Sequence, residues 1–280
     1  MEWTESRTRD TKEENTRRRK GNHPATINRP DDGSNGDLKE GTRTNTDANE
    51  KTPINQREPC KMLCLNAQGL MNENTKWKID ALKEYVNTNN IILMNFTETW
   101  LKEKMQDEKI PNFTTFRCDR KSKKSKGGGT AIYLKDGFEA RLLLEDRVES
   151  CEIVAIHIER LNVVNIVVYR PPDTHSAEFS NVMEKIKKLL EKMPSPEPSV
   201  IMTGDFNFPF IEWKRGELNA CKWKMKTYNN AKQDEKKQFY KLMDIMDSFH
   251  LVQMVQEPTG GENTLDLVFT ITQAYSHRWK

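Results

Sequence analysis

Ser199-Val200-Ile201-Met202-Thr203-Gly204-Asp205-Phe206-Asn207 is the stretch from which the fold is read. Val200 to Thr203 are apolar or β-branched, and Pro194, Pro196 and Pro198 fence them off from what precedes, the pattern of a buried strand. A glycine, an acid and an amide follow at its carboxyl end, where side chains can converge on a ligand. Asp205 offers an anionic acceptor or a metal ligand, and Asn207, two residues on and on the same face of an extended chain, offers both a donor and an acceptor. Such a pair suits the holding of a water beside a phosphate. Gly, Asp and Asn are also the commonest turn residues, so on this stretch alone a strand followed by a turn is the better reading. Other strand ends decide between the two.

They carry the same kind of residue. Lys61 to Asn66 alternates as a strand and stops at an amide, and Ile91 to Phe96 is a buried run leading into Thr97-Glu98-Thr99-Trp100-Leu101. Between them, spacing predicts a helix over about 75–88 with Trp77, Leu82, Tyr85 and Val86 on one face. Arg120 to Gly129 is basic and glycine-rich, readable as a hairpin tip or as a phosphate-contacting loop, and enters a strand over Thr130 to Leu134. Ala140–Leu144, Cys151–Ile158 and Asn162–Tyr169 alternate like consecutive antiparallel strands, the last closed by Arg170-Pro171-Pro172, since proline cannot continue a central ladder. A helix over about 178–193, with Val182, Ile186, Leu189 and Leu190 on one face, leads into the opening strand. Lys214 to Lys237 is basic, with Trp213, Trp223 and Tyr228 close to Lys222, Lys224 and Lys226. It reads equally as an exposed loop insertion or as a segment gripping nucleic acid by charge and stacking. A third helix over about 236–249 shows a core stripe of Phe239, Leu242, Met243, Met246 and Phe249; a strand near Leu251 to Val255 follows. Thr264 to Thr270 is a strand with Asp266 in its interior, and a lone acid in an apolar run needs a partner. Helices alternating with runs of strands favour two sheets packed on each other with helices outside.

Composition narrows the function. Of 280 residues, 31% are charged and 35% hydrophobic, and 45 basic against 42 acidic residues leave a net charge of +3. No global field draws in nucleic acid, so such binding rests on local patches. Residues 1–57 hold almost no large apolar side chains and read as a disordered charged tail. Its Arg17-Arg18-Arg19-Lys20 run is a nuclear-import or phosphate-binding patch or merely a solvated cluster. Five cysteines without a zinc-type pair fit free thiols in a reducing compartment. There is no signal-peptide core and no run of membrane-spanning length. The expectation is an intracellular protein, nuclear or cytoplasmic, with no membrane partner.

Asn66, Glu98, Tyr169, Asp205 with Asn207, and Asp266 thus fall at or inside successive strands, which the turn reading does not explain. On these residues the chain resembles the endonuclease/exonuclease/phosphatase superfamily. More narrowly, it is similar to the endonuclease domain of LINE-type (non-LTR) retrotransposons of the CR1 or jockey-like kind. The resemblance lies in Leu65-Asn66-Ala67-Gln68-Gly69-Leu70, Thr97 to Leu101, Gly127-Gly128-Gly129-Thr130-Ala131-Ile132-Tyr133, Val168 to Pro172, Gly204 to Asn207, and Glu257-Pro258-Thr259 with Thr264-Leu265-Asp266-Leu267. It covers residues from about 60 to 272, a domain bounded here at 58–272, with a divergent end at 273–280.

The resemblance implies an α/β (α+β) four-layered sandwich of two mostly antiparallel sheets with helices outside, and DNA as the partner. It implies that Glu98 holds Mg²⁺ or Mn²⁺, with Asn66 beside the metal-bound phosphate, and that no small-molecule cofactor is used. Asp205 would orient and deprotonate water, Asn207 would fix it, Tyr169 would donate to a phosphate oxygen, and Asp266 would orient a histidine. The family's closing Ser-Asp-His motif is the departure: here the chain runs Ile271 to Lys280 with only Ser276-His277. The expectation is therefore DNA nicking impaired by the loss of that motif and of the last strand, a donor of this sort supplying about 10²–10³ in rate. The alternative is a truncated, inactive remnant that at most binds nucleic acid. A phosphoesterase acting on small phosphate esters is a third reading, disfavoured by the Thr97–Leu101 and Tyr169–Pro172 signatures.

Overall fold

The central strands bury alternate residues against helices and the remainder against a second sheet. The computed structural model describes residues 2–3, 60–70, 76–102, 110–119, 127–216, 221–226 and 231–271, all within the unit formed by residues 1–5 and 57–280. The expectations placed on residues 4–57 and on 272–280, including Ser276-His277, lie outside the described residues.

In one sheet, β2 (Lys61–Asn66), β3 (Ile91–Thr97), β5 (Thr130–Lys135) and β4 (Phe113–Cys118) are neighbours in that order, with the two-residue β1 (Glu2–Trp3) paired in parallel to Lys61 and Met62. The other sheet has eight strands. From one edge they are β10 (Ile211–Arg215), β11 (Cys221–Met225), β12 (Leu251–Gln253) and β13 (Asp266–Ile271), then β9 (Ser199–Asp205), β8 (Val163–Tyr169), β7 (Cys151–Ile158) and β6 (Ala140–Val148). All its pairings are antiparallel except β8 with β9, which are joined through α2 (Ser176–Glu191).

Helix α1 (Lys76–Asn89) lays Ile79, Leu82 and Val86 on Leu63, Met94, Phe96 and Tyr133 of the smaller sheet. On the larger sheet, α2 contributes Phe179, Val182, Met183 and Ile186, and α3 (Gln233–Ser248) contributes Phe239, Leu242, Ile245 and Met246. These pack on Ile153, Ala155, Ile166, Val168, Met202 and Phe269. The order helix, sheet, sheet, helices is the four-layered sandwich that was expected. Trp77, placed by its spacing on the inner face of α1, is instead 57% exposed; Ile79 fills that role.

In the middle of the sandwich the two sheets are also joined by a buried polar cluster. Asn95 on β3 and Asn165 on β8 exchange two hydrogen bonds of 2.9 Å, and Asn95 Nδ2 also donates to Thr203 Oγ1 on β9 at 3.0 Å. No helix among the described residues is long and apolar enough to cross a membrane.

Three readings are corrected. Phe113–Cys118 forms an edge strand that no sequence signal singled out. The basic insertion after Asn207 opens as a hairpin, β10 with β11, in which Trp213 is buried. Asp266 begins β13 rather than lying inside it, because the preceding residues are spent on a turn closed between Gly260 and Asn263.

Gly204 is required by close approach. A Cβ there would overlap the Val168 carbonyl oxygen of the parallel neighbour, and its φ of +150° is in any case a backbone that side chains disfavour. Gly204→Ala is expected to cost at least about 4 kcal/mol, read as loss of soluble protein or as a collapse of the urea midpoint.

Candidate functional site

Period-two alternation decides which strand-end side chains meet. Because Asn95, Asn165 and Thr203 bond across the sheets, positions of the same parity on their strands share the inter-sheet face: Thr97 on β3, Tyr169 on β8 and Asp205 on β9. On β2 the Met62 sulfur accepts from Asn95 Nδ2, so Asn66, four residues on, shares that face. On β13 Asp266 stands directly opposite Asp205 in the ladder, as Tyr169 does on the other side. Amide, phenol and two carboxylates are thereby gathered at one end of the sandwich.

The contacts are direct. Asn66 Nδ2 donates to Asp205 Oδ2 across the sheets at 2.8 Å. Glu98, just past the end of β3 with a left-handed φ of +53°, accepts from Tyr169 O–H through Oε1. Its Oε2 accepts from Trp100 Nε1 at 2.6 Å and from the Gly128 N–H at 2.8 Å. A non-glycine residue held at positive φ is strained. At Glu98 the strain turns the carboxylate into the space between the sheets, where three donors hold it.

Asn207 departs from the sequence reading. Its φ is +51°, so it does not continue an extended chain on the face of Asp205. Its N–H donates to Asp205 Oδ1 at 3.2 Å, while its Nδ2 donates to the Arg170 carbonyl at 2.9 Å. The residue that fixes this geometry is Arg170, which in the sequence stands only as part of a strand stop. Arg170 is fully buried, with Nη1 donating to the carbonyls of Phe206 and Asn207 at 3.1 Å each and Nε to Gln238 Oε1 at 2.6 Å. Its guanidinium carbon lies 4.5 Å from the Phe208 ring centroid, a cation–π distance. Gln238 is in turn held by its own donation to the Thr174 carbonyl at 2.7 Å. The signal available in sequence was faint: an arginine before two prolines, and a glutamine inside the apolar stripe of α3.

Electrostatics follow from the crowding. Burial first, then the Asp266 carboxylate, and to a smaller degree Glu98, push the Asp205 carboxyl up to about 8, against the lowering effect of the Asn207 N–H and the Asn66 amide. Burial and the Glu98 carboxylate raise the Tyr169 phenol, which stays protonated as a donor. Burial also lowers the Arg170 pKa.

Among the described residues no group of three or more His, Cys, Asp or Glu side chains forms a metal-holding cluster. The donor set nevertheless fits a hard cation of the Mg²⁺ type, which is commonly bound by one or two carboxylates and keeps several waters. Glu98 and Asn66 supply oxygen donors, and the raised Asp205 carboxyl marks a place short of positive charge. The structure brings together Asn66, Glu98, Tyr169, Asp205 and Asp266, with Asn207 attached through its backbone. The terminal histidine falls outside the described residues.

A family model described as endonuclease-reverse transcriptase matches residues 163–280, the part that carries Tyr169, Asp205, Asn207 and Asp266. The match runs past residue 272, where the motif-based resemblance stops. Comparison with curated proteins finds no match. Among solved structures the chain is similar to the endonuclease domain of TRAS1, a telomere-specific non-LTR retrotransposon, at 16% identity over 78% of this chain and 88% of that one, TM-score 0.47. It is similar to an AP endonuclease from Archaeoglobus fulgidus at 11% identity, 75% and 85% coverage, TM-score 0.46. A 3′ phosphatase, NExo, from Neisseria bound to a product DNA hairpin gives 12% identity, 75% and 86% coverage, TM-score 0.49. At these identities and TM-scores no role is transferred from those proteins.

Two outcomes are expected of the metal-free protein. Because the folded-state pKa of Asp205 is raised to about 8, the folded chain binds the proton more tightly than the unfolded one. Stability is then greatest below the ordinary carboxylate pKa and declines as pH rises towards 8, by at most about 1.4 kcal/mol per pH unit. Asp205→Asn should therefore melt close to wild type near pH 4 and well above it at pH 8, read as Tm in EDTA. Arg170→Met should lower stability at every pH by about 2–4 kcal/mol, since it strands the Phe206, Asn207 and Gln238 acceptors.

Proposed function

We propose that this chain is a metal-dependent phosphodiesterase that nicks DNA, of the retrotransposon endonuclease kind within the endonuclease/exonuclease/phosphatase superfamily. The observation that carries the reading is the contact between Asn66 of one sheet and Asp205 of the other, beside a Glu98 carboxylate aimed into the same space. The family-model match over residues 163–280 supports it, as do the motifs around Glu98 and Tyr169.

In this reading Glu98 and Asn66 hold Mg²⁺ or Mn²⁺, and the ion, when bound, supplies positive charge against that developing on the leaving oxygen. Asp205 is the base: burial and the neighbouring Asp266 raise its affinity for the proton of an attacking water. The Asn66 amide and the Asn207 N–H fix the carboxylate so that one lone pair faces the water. Tyr169, protonated at all working pH values, turns its O–H from Glu98 to a phosphate oxygen. Arg170 keeps the backbone of Phe206 and Asn207 in place from behind.

Supercoiled plasmid, incubated with Mg²⁺, should be converted to the nicked circle, and EDTA should stop the conversion. Asp205→Ala and Glu98→Ala should each slow it by about 10²–10⁴ while leaving the circular dichroism of the fold intact. Undiminished nicking by Asp205→Ala overturns the assignment. A folded wild-type protein that binds plasmid and never cuts it leaves the inactive remnant as the correct reading.

A further inference from the structure

The β10–β11 hairpin has two unlike faces. In its register Trp213 stands opposite Trp223, Ile211 opposite Met225 and Arg215 opposite Cys221, whereas Lys214 stands opposite Lys222 and Glu212 opposite Lys224. The tryptophan face is the helix side of the sheet. Trp213 makes edge contacts with Phe239 on α3 and Phe269 on β13, and Trp223 with Phe239 and Tyr240.

Lys214, Lys222 and Lys224 must then project from the opposite face, which is the face bearing Thr203 and Asp205 further along the same sheet. All three are exposed. The smaller sheet packs over β6 to β9 and leaves this extension uncovered among the described residues. Lys226, at the end of β11, donates to Asn263 Oδ1 in the turn that precedes Asp266, so the hairpin is tied to a strand of the site.

We infer that this lysine row is a docking surface for the sugar-phosphate backbone of duplex DNA, flanking the phosphate that is cut. The inference rests on the DNA-nicking reading above and extends it to how the substrate is held. Charge complementarity selects the occupant: three lysines against one glutamate, with Lys214 near Glu212 at 3.6 Å, on a chain whose net charge is only +3. On the lysine face itself stacking has no tryptophan to use: Trp213 is buried, and Trp223, 41% exposed, lies on the helix face against Phe239 and Tyr240, while Tyr228 lies outside the described residues. Contacts of this sort fix position on the duplex and carry no base sequence.

The test measures binding apart from cutting. A short fluorescent DNA duplex is titrated in EDTA, across a salt series, with wild type, with Lys214→Gln/Lys222→Gln/Lys224→Gln, and with a control that removes the same charge from the helix layer, Lys187→Gln/Lys188→Gln/Lys241→Gln. Each lost phosphate contact lowers the slope of log affinity against log salt by about 0.9. The hairpin variant should therefore lose about two to three units of slope and about tenfold or more in affinity, with Tm unchanged, while the control stays near wild type.

Equal losses in both variants reduce the effect to net charge and overturn the proposal. It is overturned equally by a hairpin variant that binds like wild type, by a wild type without affinity for the duplex, or by single-stranded RNA competing better than unlabelled duplex. Plasmid nicking is scored separately in Mg²⁺. Hairpin-dependent binding without nicking sinks the catalytic reading alone, and nicking that the hairpin variant performs at wild-type KM sinks the docking surface alone.

Discussion

Two sheets joined only by apolar side chains could slide, because hydrophobic contact is non-directional. In this protein the buried exchange of hydrogen bonds between Asn95 and Asn165, extended to Thr203, removes that freedom. An amide pair buried away from water must keep both of its bonds or bear the desolvation of each unpaired group. Slippage of one sheet over the other would part the amides from these partners. The position of Asn66 against Asp205 is a consequence, since both lie at fixed distances along strands whose mutual register the cluster sets. What looks like a local contact at the site is thus maintained from the middle of the sandwich.

The site itself runs against the preferences of a stable interior. Acids crowd acids, Glu98 and Asn207 sit at positive φ, and Arg170 is buried with hydrogen bonds only to neutral acceptors. Each of these is unfavourable by itself, and each is over-determined by its surroundings. Glu98 is held by three donors, Asn207 by its side-chain bond to the Arg170 carbonyl, and Arg170 by two carbonyls, an amide and the Phe208 ring. Pre-organisation of this kind places dipoles before a reacting group arrives, so less rearrangement remains for the moment of reaction.

Much of this was legible in the sequence because side-chain direction in strands has a period of two. Asn66, Tyr169 and Asp205 turn to the space between the sheets for the same reason that Leu63 on one sheet, and Ile166 and Met202 on the other, turn outward to the helices. The two sheets and three helices followed from runs and stripes long enough to be unambiguous. Legibility failed where a distant side chain dictates backbone shape. That Asn207 is a turn-prone asparagine shows that a left-handed residue is tolerated there; the groups that hold it come from Arg170, and through it from Gln238, and are not local in sequence. The hairpin was hidden by its own composition: Ile211-Glu212-Trp213-Lys214 alternates as a strand should, but abundant lysine and glutamate read as loop. Trp77 was misplaced because helical spacing admits neighbouring phases and size favoured the tryptophan over Ile79.

The parallel pair β8 and β9, with α2 crossing between them, forms a unit contiguous in the chain that carries Tyr169, Arg170 and Asp205. Asn66 and Glu98 come from the other sheet and join them only when the sheets dock. Contacts of such wide sequence separation are closed late, because the entropy of the intervening loop must be overcome first. A nascent or partly unfolded chain therefore holds only half of the candidate site. The complete set of side chains assembles only with the finished sandwich, so whatever chemistry the site performs is withheld from a chain still in the course of folding.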